Sequence, residues 1–314
     1  MENLIFSLNA TIPVFLMMIL GMIFKKLNII SDSFASSMNK FVFLIPLPVM
    51  VFKNLATIDI KSSWDSKFVL FCFCVTVLSI LIAFILSNFL KDKSEKGEFI
   101  QASYRSSAAL LGMALISNIY GTSVMGPLMI IGSVPLYNIM AVVVLSFFKP
   151  GDNSIDLGRI KKTLIGIIKN PIIIGIEIGI IWSFFQLPYP AIFSKTVDYI
   201  SALASPMGLM AMGASFDFKK ASGKIKPAII AAFCKLFGFV LLFMPLAIHF
   251  GFVDDQIVAI LIMLGSATTV TCYVMAKNMG HEGTLSSNVV MITTLLSGFS
   301  ITFWLFILRV LQVI

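Results

Sequence analysis

Two stretches of this chain combine polar side chains with the apolar character of a membrane-spanning segment. The first, Ser103–Gly121, carries Arg105 with several serines and an asparagine, and the second, Gly265–Gly280, carries threonines and a tyrosine. Hydrocarbon offers such groups no hydrogen-bond partner, so they are expected inside the protein or along a water-filled cavity. Paired polar, glycine-containing interruptions of hydrophobic segments indicate the substrate site of a transporter.

The candidate binding residues lie in these two stretches and in one further apolar segment. Arg105 is expected at the cytoplasmic end of its segment, either attracting an anion to the inner mouth or snorkelling at the interface. The hydroxyls and amides either contact the substrate or hydrogen-bond between packed helices. The substrate-binding candidates are Arg105, Ser107, Gly112, Asn118, Asn138, Thr268, Thr269, Thr271 and Tyr273.

Two further ionisable residues lie within apolar segments and are candidates for ion coupling. Glu177 is the only carboxylate deep within any segment, and Lys235 lies about two helical turns into its own. A charge at membrane depth costs a few kcal/mol, so it marks a functional candidate by default. Glu177 is predicted either to carry a coupling proton or to pair with Lys235 or Lys169, and Lys235 could instead snorkel to the cytoplasmic side.

The composition places the chain in a membrane and excludes several classes of function. Of its 314 residues, 58% are hydrophobic and 12% are charged, whereas a soluble domain is about a quarter charged. The net charge of +8 comes from lysines beside apolar segments and not from a nucleic-acid surface. Its four cysteines form no CxxC pair, so no metal site and no cofactor are expected. Catalytic pairs at membrane depth are absent, so an enzyme is not predicted.

Ten apolar segments are long enough to cross a bilayer, for which a helix needs about 20 residues. They are 4–24, 39–58, 68–90, 99–120, 124–148, 163–185, 199–216, 227–250, 256–277 and 285–311. Fifteen lysines and arginines lie on one side of these spans and five on the other. Positive charge stays on the cytoplasmic side, so both termini are predicted to lie outside the plasma membrane of the cell.

A polar connector divides the predicted spans into two groups of five. It runs from 149 to 162 and separates a repeat at 1–148 from a repeat at 163–314. An odd number of spans per group inverts the second group relative to the first, and such repeats place substrate at their interface near the bilayer midplane. Helix breaks or hinges are expected at Pro46, Pro48, Pro206 and Gly265.

The order and spacing of several motifs resemble the auxin efflux carrier family, including its bacterial members known as malate or malonate permeases. The resemblance covers essentially the whole chain. The matching motifs are Pro46–Phe52, Arg105 seven residues before Gly112, Tyr137-Asn138, Asn170-Pro171, Ser205–Gly213, Ala276-Lys277 and Thr293-Thr294 with Ser297.

This resemblance implies an all-helical membrane fold of ten helices in two inverted five-helix repeats. The fourth and ninth helices would be broken where they cross, as in sodium/proton antiporters and bile-acid symporters. It further implies a homodimer that transports small organic anions, such as mono- or dicarboxylates or auxin-like acids, by alternating access. Ala114, Ala267 and Ser107 replace two prolines and an asparagine of the family pattern, so the breaks would depend on Gly112, Gly265 and the Thr268/Thr269 pair.

A sodium-coupled symporter of the bile-acid type is the alternative function. Its ion would need a cluster of oxygen ligands at the crossing, which serines and threonines could supply. An ion antiporter usually relies on aspartates within the membrane, and the predicted spans contain none. Coupling to a proton and coupling to sodium both stay open at this point.

Overall fold

The computed structural model describes residues 2–57, 64–108, 116, 119–120, 125–150, 165–166, 168–216 and 218–314. Throughout these residues the regular secondary structure is helical and no β-strand occurs. The predicted all-helical fold is therefore confirmed, whereas the count of ten spans stays a prediction. Within the same residues, the stretches long and apolar enough to cross a membrane are Asp32–Ala56, Ser66–Ser87, Met125–Phe147, Ile225–His249 and Thr284–Val310.

Six helices are described in the first half of the chain. They are α1 (Glu2–Lys26), α2 (Asp32–Leu44), α3 (Pro46–Ala56), α4 (Ser66–Ser87), α5 (Lys96–Tyr104) and α6 (Met125–Phe147). The second predicted span begins at Asp32 and not at Asn39. Polar residues precede the apolar run there, yet Ser31 caps the helix by accepting from the Phe34 amide at 3.1 Å.

Nine helices are described in the second half. They are α7 (Pro171–Phe184), α8 (Ala191–Ala202), α9 (Ala204–Ala214), α10 (Phe218–Gly223), α11 (Ile225–Phe233), α12 (Phe239–His249), α13 (Asp254–Gly265), α14 (Thr271–Asn278) and α15 (Thr284–Val310). A π-helical turn, Cys234–Gly238, joins α11 to α12. Asn170 caps α7 by accepting from the Ile172 amide at 2.9 Å, and Pro171 occupies the first helical position, which needs no N–H donor.

The second and seventh spans are both interrupted. The break between α2 and α3 falls at Ile45, directly before Pro46, because proline has no N–H to continue the helix. The seventh span breaks at Leu203, between α8 and α9. Pro206 lies three residues later, in the first turn of α9, where proline is tolerated. The predicted hinge at Pro206 is therefore displaced toward the N-terminus.

The helices pack as two bundles. The first, here called the scaffold bundle, contains α1–α3 and α7–α9, and the second, the crossing bundle, contains α4–α6 and α11–α15. In the scaffold bundle α3 packs on α7 and α1 packs on α9. Glycine permits both close approaches, since a Cβ at Gly175 would lie 2.5 Å from the Pro48 carbonyl oxygen and one at Gly213 would meet the Met18 backbone. The division at the connector stays a prediction, and most of the connector lies outside the described residues.

Loop contacts define two opposite faces of the molecule. At one, here called the terminal face, Lys67 Nζ donates to the Phe250 carbonyl at 2.6 Å and the Asp254 amide donates to the Val313 carbonyl at 3.2 Å. At the other, here called the connector face, Lys224 Nζ lies 2.6 Å from Glu282 and 3.3 Å from Glu95. The sequence predicts that the terminal face is outside the cell.

Candidate substrate-binding site

The ninth span is broken near its middle. Helix α13 ends at Gly265, Ser266 is extended, and the chain resumes a helix only at Thr271. The sequence predicts a break at this position, at Gly265 and the Thr268/Thr269 pair. The glycine fits the packing there, because a Cβ at Gly265 would lie 2.8 Å from a methyl group of Val240.

The fourth span leaves its helix earlier than predicted. Helix α5 ends at Tyr104 and Arg105 is extended, with φ −73° and ψ 133°. The expectation that the helix continues from Arg105 to a break at Gly112 is therefore wrong. Side chains from outside α5 satisfy its last carbonyls, as when Thr268 Oγ1 donates to the Ala102 carbonyl at 2.9 Å, so the helix can end inside the protein. Gly112 and Asn118 lie outside the described residues.

The two non-helical segments meet at the crossing. The Ser107 amide donates to the Ala267 carbonyl at 2.9 Å, which joins one segment directly to the other. Thr268 fastens the crossing from a second direction, because its amide donates to Thr293 Oγ1 at 3.0 Å. Thr268 therefore holds the backbone of the crossing together, and its side chain does not line the cavity described below.

Lys235 lies at the ends of both half-helices that lead into the crossing. Its side chain is fully buried, and Nζ donates to the carbonyls of Tyr104 at 3.3 Å, Met263 at 3.0 Å and Leu264 at 2.9 Å. These carbonyls belong to the C-terminal ends of α5 and α13, where helix dipoles concentrate negative charge. Neither predicted alternative is correct, since Lys235 does not snorkel and does not pair with Glu177.

Arg105 lies at the start of the non-helical segment and is 2% exposed. Its Nη2 donates to Asn138 Oδ1 at 2.7 Å and to Thr271 Oγ1 at 2.8 Å, while Nη1 lies 3.4 Å from Gln101 Oε1. Among the described residues no carboxylate pairs with this guanidinium, and its Nε has no hydrogen-bond partner. Arg105 is thus a central buried cation and not the residue at the inner mouth that the sequence predicts.

A cavity that is open to the outside lies beside the crossing, between the two bundles, and its unfilled space, the open part included, is about 450 Å³. Five predicted residues line it: Arg105, Ser107, Asn138, Thr269 and Thr271. Tyr273 does not, because its hydroxyl accepts from Asn39 Nδ2 at 3.2 Å in a separate contact between the bundles. The remaining lining residues are Met50, Val51, Asn54, Ser106, Val134 and Tyr137.

The contribution of α3 to the cavity is absent from the sequence prediction. Met50, Val51 and Asn54 lie on one face of that helix, at the spacing of a single turn, and follow the break at Pro46. An amide four residues after an apolar residue and beyond a proline-induced break is a signal that could have found Asn54. Hydropathy does not single out Asn54, because Lys53 and Asn54 together resemble the polar end of a span.

Glu177 is exposed and is not one of the residues that line the cavity. It lies on α7, among the exposed side chains of Ile174, Ile178 and Ile181. Within the described part of the chain it forms no ion pair. The structure therefore does not bring Glu177 to the crossing, where a coupling proton would meet the substrate.

The cavity and the closed part of the bundle interface lie on opposite sides of the crossing. On the cavity side, the lining of α3 reaches Asn54, close to the end of that helix at the terminal face. On the other side, Asn39 of α2 donates to Tyr273 of α14, and Asn278 Nδ2 donates to the Asn39 carbonyl at 3.2 Å. These bonds hold the bundles together toward the connector face.

Comparison with known proteins identifies the family of the chain. A family model described as membrane transport protein matches residues 6–305. The chain belongs to this family. It is the family of the auxin efflux carriers, so the resemblance predicted from the motifs is confirmed. An uncharacterized transporter of Methanothermobacter thermautotrophicus is 22% identical over 217 residues, which are 68% of this chain and 69% of that protein.

A solved structure shows the same fold. The sodium proton antiporter MjNhaP1 from Methanocaldococcus jannaschii superposes with a TM-score of 0.63 and covers 95% of this chain and 97% of its own. The sequences are 14% identical, so the likeness is one of fold alone. The predicted relation to sodium/proton antiporters is confirmed at that level. This membrane transport protein therefore carries an antiporter-like fold with a buried arginine beside its crossing.

Proposed function

We propose that this protein is a secondary-active transporter of small organic anions, which bind in the cavity beside the crossing. The observation that carries the proposal is Arg105, a buried guanidinium that lines the cavity and has no carboxylate partner among the described residues. An uncompensated charge at membrane depth is unfavourable, and a bound anion would supply the missing partner. The N-terminal end of α14 adds a positive dipole at Thr271.

Transport would proceed by alternating access between the two bundles. The cavity has walls from both of them, since Asn54 belongs to the scaffold bundle and Arg105 to the crossing bundle. Rocking of one bundle against the other would part the contacts of Asn39 with Tyr273 and Asn278 and close the cavity on the terminal side. In the predicted orientation, the present structure holds its cavity on the outer side of the crossing.

Of the two predicted coupling residues, Lys235 is the better placed. It is the one that contacts the half-helix ends at the crossing, whereas Glu177 is exposed on α7. Loss of a proton from Lys235 would leave three carbonyls facing a neutral amine. If Lys235 carries the coupling proton, a Glu177→Gln variant transports with unchanged rate and unchanged dependence on external pH.

Sodium coupling of the bile-acid symporter type remains the second candidate. The cavity offers hydroxyl oxygens from Ser106, Ser107, Thr269 and Thr271, which are ligands that a small cation accepts. The described lining contains no carboxylate, however, and a cation there would share the space with the Arg105 guanidinium. This charge balance favours the anion as the primary ligand.

Uptake into proteoliposomes tests the proposal. Labelled mono- and dicarboxylates are offered with a proton gradient, with a sodium gradient and with neither. We expect at least one anion to accumulate with the wild-type protein and to be lost in Arg105→Met. The matched control is Arg309→Met, which removes an exposed arginine at the end of α15. Absence of anion movement under every gradient, or equal uptake by Arg105→Met and the control, refutes the proposal.

The assembly and location proposed here are a homodimer in the plasma membrane with both termini outside. The exposed carboxylate of Glu177, amid exposed isoleucines on α7, favours that surface as the contact with a second copy, because lipid solvates a carboxylate poorly. Cysteine cross-linking at Ile178 checks this assignment, with Leu241 of α12, exposed on the other bundle, as the control position.

A further inference from the structure

The charges around the cavity limit what kind of anion it can hold. Arg105 is the only charged residue among the described residues that line it. Among the described residues, Arg105 is therefore the cation that a ligand in this cavity meets.

The two nearest alternative cations along these elements are already occupied. Lys235 has three donors on Nζ, and three backbone carbonyls accept from it at 2.9–3.3 Å. Lys53 precedes Asn54 but forms an ion pair with Asp198 at 2.6 Å. A second carboxylate on the ligand would thus meet no free cation among the described residues, and any hydration that it loses in the cavity would go uncompensated.

The other lining residues indicate the uncharged remainder of the ligand. They include Met50, Val51 and Asn54 of α3, together with Val134 of α6. Three of these side chains are apolar, and Asn54 supplies one amide that can both donate and accept a hydrogen bond. Such a lining accommodates a short carbon chain that ends in a neutral polar group.

We propose that the cavity selects small organic anions carrying a single carboxylate and a neutral polar end, and that Asn54 sets this selectivity against dicarboxylates. The inference depends on the proposed anion site but is narrower than it. In this arrangement the carboxylate lies at Arg105 and the α14 N-terminus, and the neutral end lies at Asn54. The ligand then contacts both bundles, which is what rocking of one against the other requires.

Titration calorimetry on the purified protein tests the inference with a matched pair of ligands. Succinate and succinamate have the same carbon chain, but succinamate replaces one carboxylate by an amide. We expect succinamate to bind at least about tenfold more tightly than succinate near neutral pH, a ratio set by one unpaired charge. Asn54→Lys adds a cation to the cavity from the scaffold bundle and should reverse the preference.

Two further variants keep the test decisive. Asn54→Leu should weaken succinamate without improving succinate, and Ser36→Lys adds the same charge at an exposed position of α2 and should change neither. If succinate binds as tightly as succinamate, and both depend on Arg105, the selectivity is refuted while the anion site stands. If binding of neither ligand depends on Arg105, the proposed function fails and the selectivity with it.

Discussion

Two buried cations lie at the crossing, and they differ in how fully their donors are satisfied. Lys235 is fully buried and gives each of its three donors to a backbone carbonyl. Arg105 is equally hidden, but its Nε lacks a partner among the described residues, and it lines the cavity. Burial alone therefore does not identify a ligand-binding cation. The proposed anion site lies at the cation that has an unsatisfied donor, because a buried polar group without a partner is costly.

The two residues are also connected through one peptide unit. The carbonyl that accepts from Lys235 belongs to Tyr104, and the next residue in the chain is Arg105. The ammonium thus fixes the end of α5 at the point where the guanidinium leaves it. On this view Lys235 positions the crossing and Arg105 binds, so the two should respond differently to substitution.

The largest expected effect is on stability, from Lys235→Met. This change leaves three carbonyls at two converging helix ends without a donor, and one buried unsatisfied group costs about 1–3 kcal/mol. The variant no longer has to bury a charged ammonium, which offsets part of the cost of the three unsatisfied carbonyls. We therefore expect the free energy of unfolding to fall by about 3 kcal/mol. Thermal unfolding in detergent measures it, with exposed Lys40→Met as the control. An unchanged unfolding temperature would show that Lys235 is not a structural anchor.

Next in size is the effect of giving Arg105 the partner that it lacks. Asn138→Asp places a carboxylate at the position whose oxygen now lies 2.7 Å from Nη2. The new ion pair neutralises the cavity, and we expect anion affinity to fall about hundredfold while the protein unfolds no earlier. Calorimetric titration with succinamate measures the loss. If the variant keeps its affinity for succinamate, anion binding does not depend on the unpaired charge of Arg105.

The sequence predicts these two residues as candidates but not the difference between them. Composition and segment length predict an all-helical membrane fold. Polar residues within the fourth and ninth spans predict the crossing. Hydrophobicity could not place the break of the fourth helix at Arg105, since tertiary hydrogen bonds to Ala102 and Tyr104 decide where α5 ends. Nor could it place Asn54 in the cavity, because the packing of α3 against the other bundle sets that contact.

A smaller effect separates charge from geometry at Arg105. Arg105→Lys keeps a cation but has no planar fork, so it cannot hold Asn138 and Thr271 with one nitrogen while presenting another to a ligand. We expect binding about tenfold weaker than wild type but clearly stronger than that of Arg105→Met. If the lysine variant binds like the methionine variant, the planar geometry matters more than the charge.

The smallest expected effect comes from a third buried polar residue, His281, at the connector face. Its Nε2 lies 2.8 Å from the Leu145 carbonyl oxygen, so the neutral ring donates from Nε2, and Nδ1 has no partner among the described residues. Burial holds the pKa of His281 below its ordinary value of 6.5, Lys149 lowers it further, and the Leu145 carbonyl and Glu98 act against this shift.

The sign of the pH effect follows from that direction. With its pKa depressed in the folded state, the ring is neutral in both states above about pH 6.5, and stability is then complete. As the pH falls toward the folded pKa, the unfolded chain binds a proton more readily than the fold does, and stability is lost. We expect the unfolding temperature to fall from about pH 8 to about pH 5.5. The drop should shrink in His281→Gln, which cannot titrate but can still donate to Leu145. An equal drop in the variant would show that His281 is not the group responsible for it.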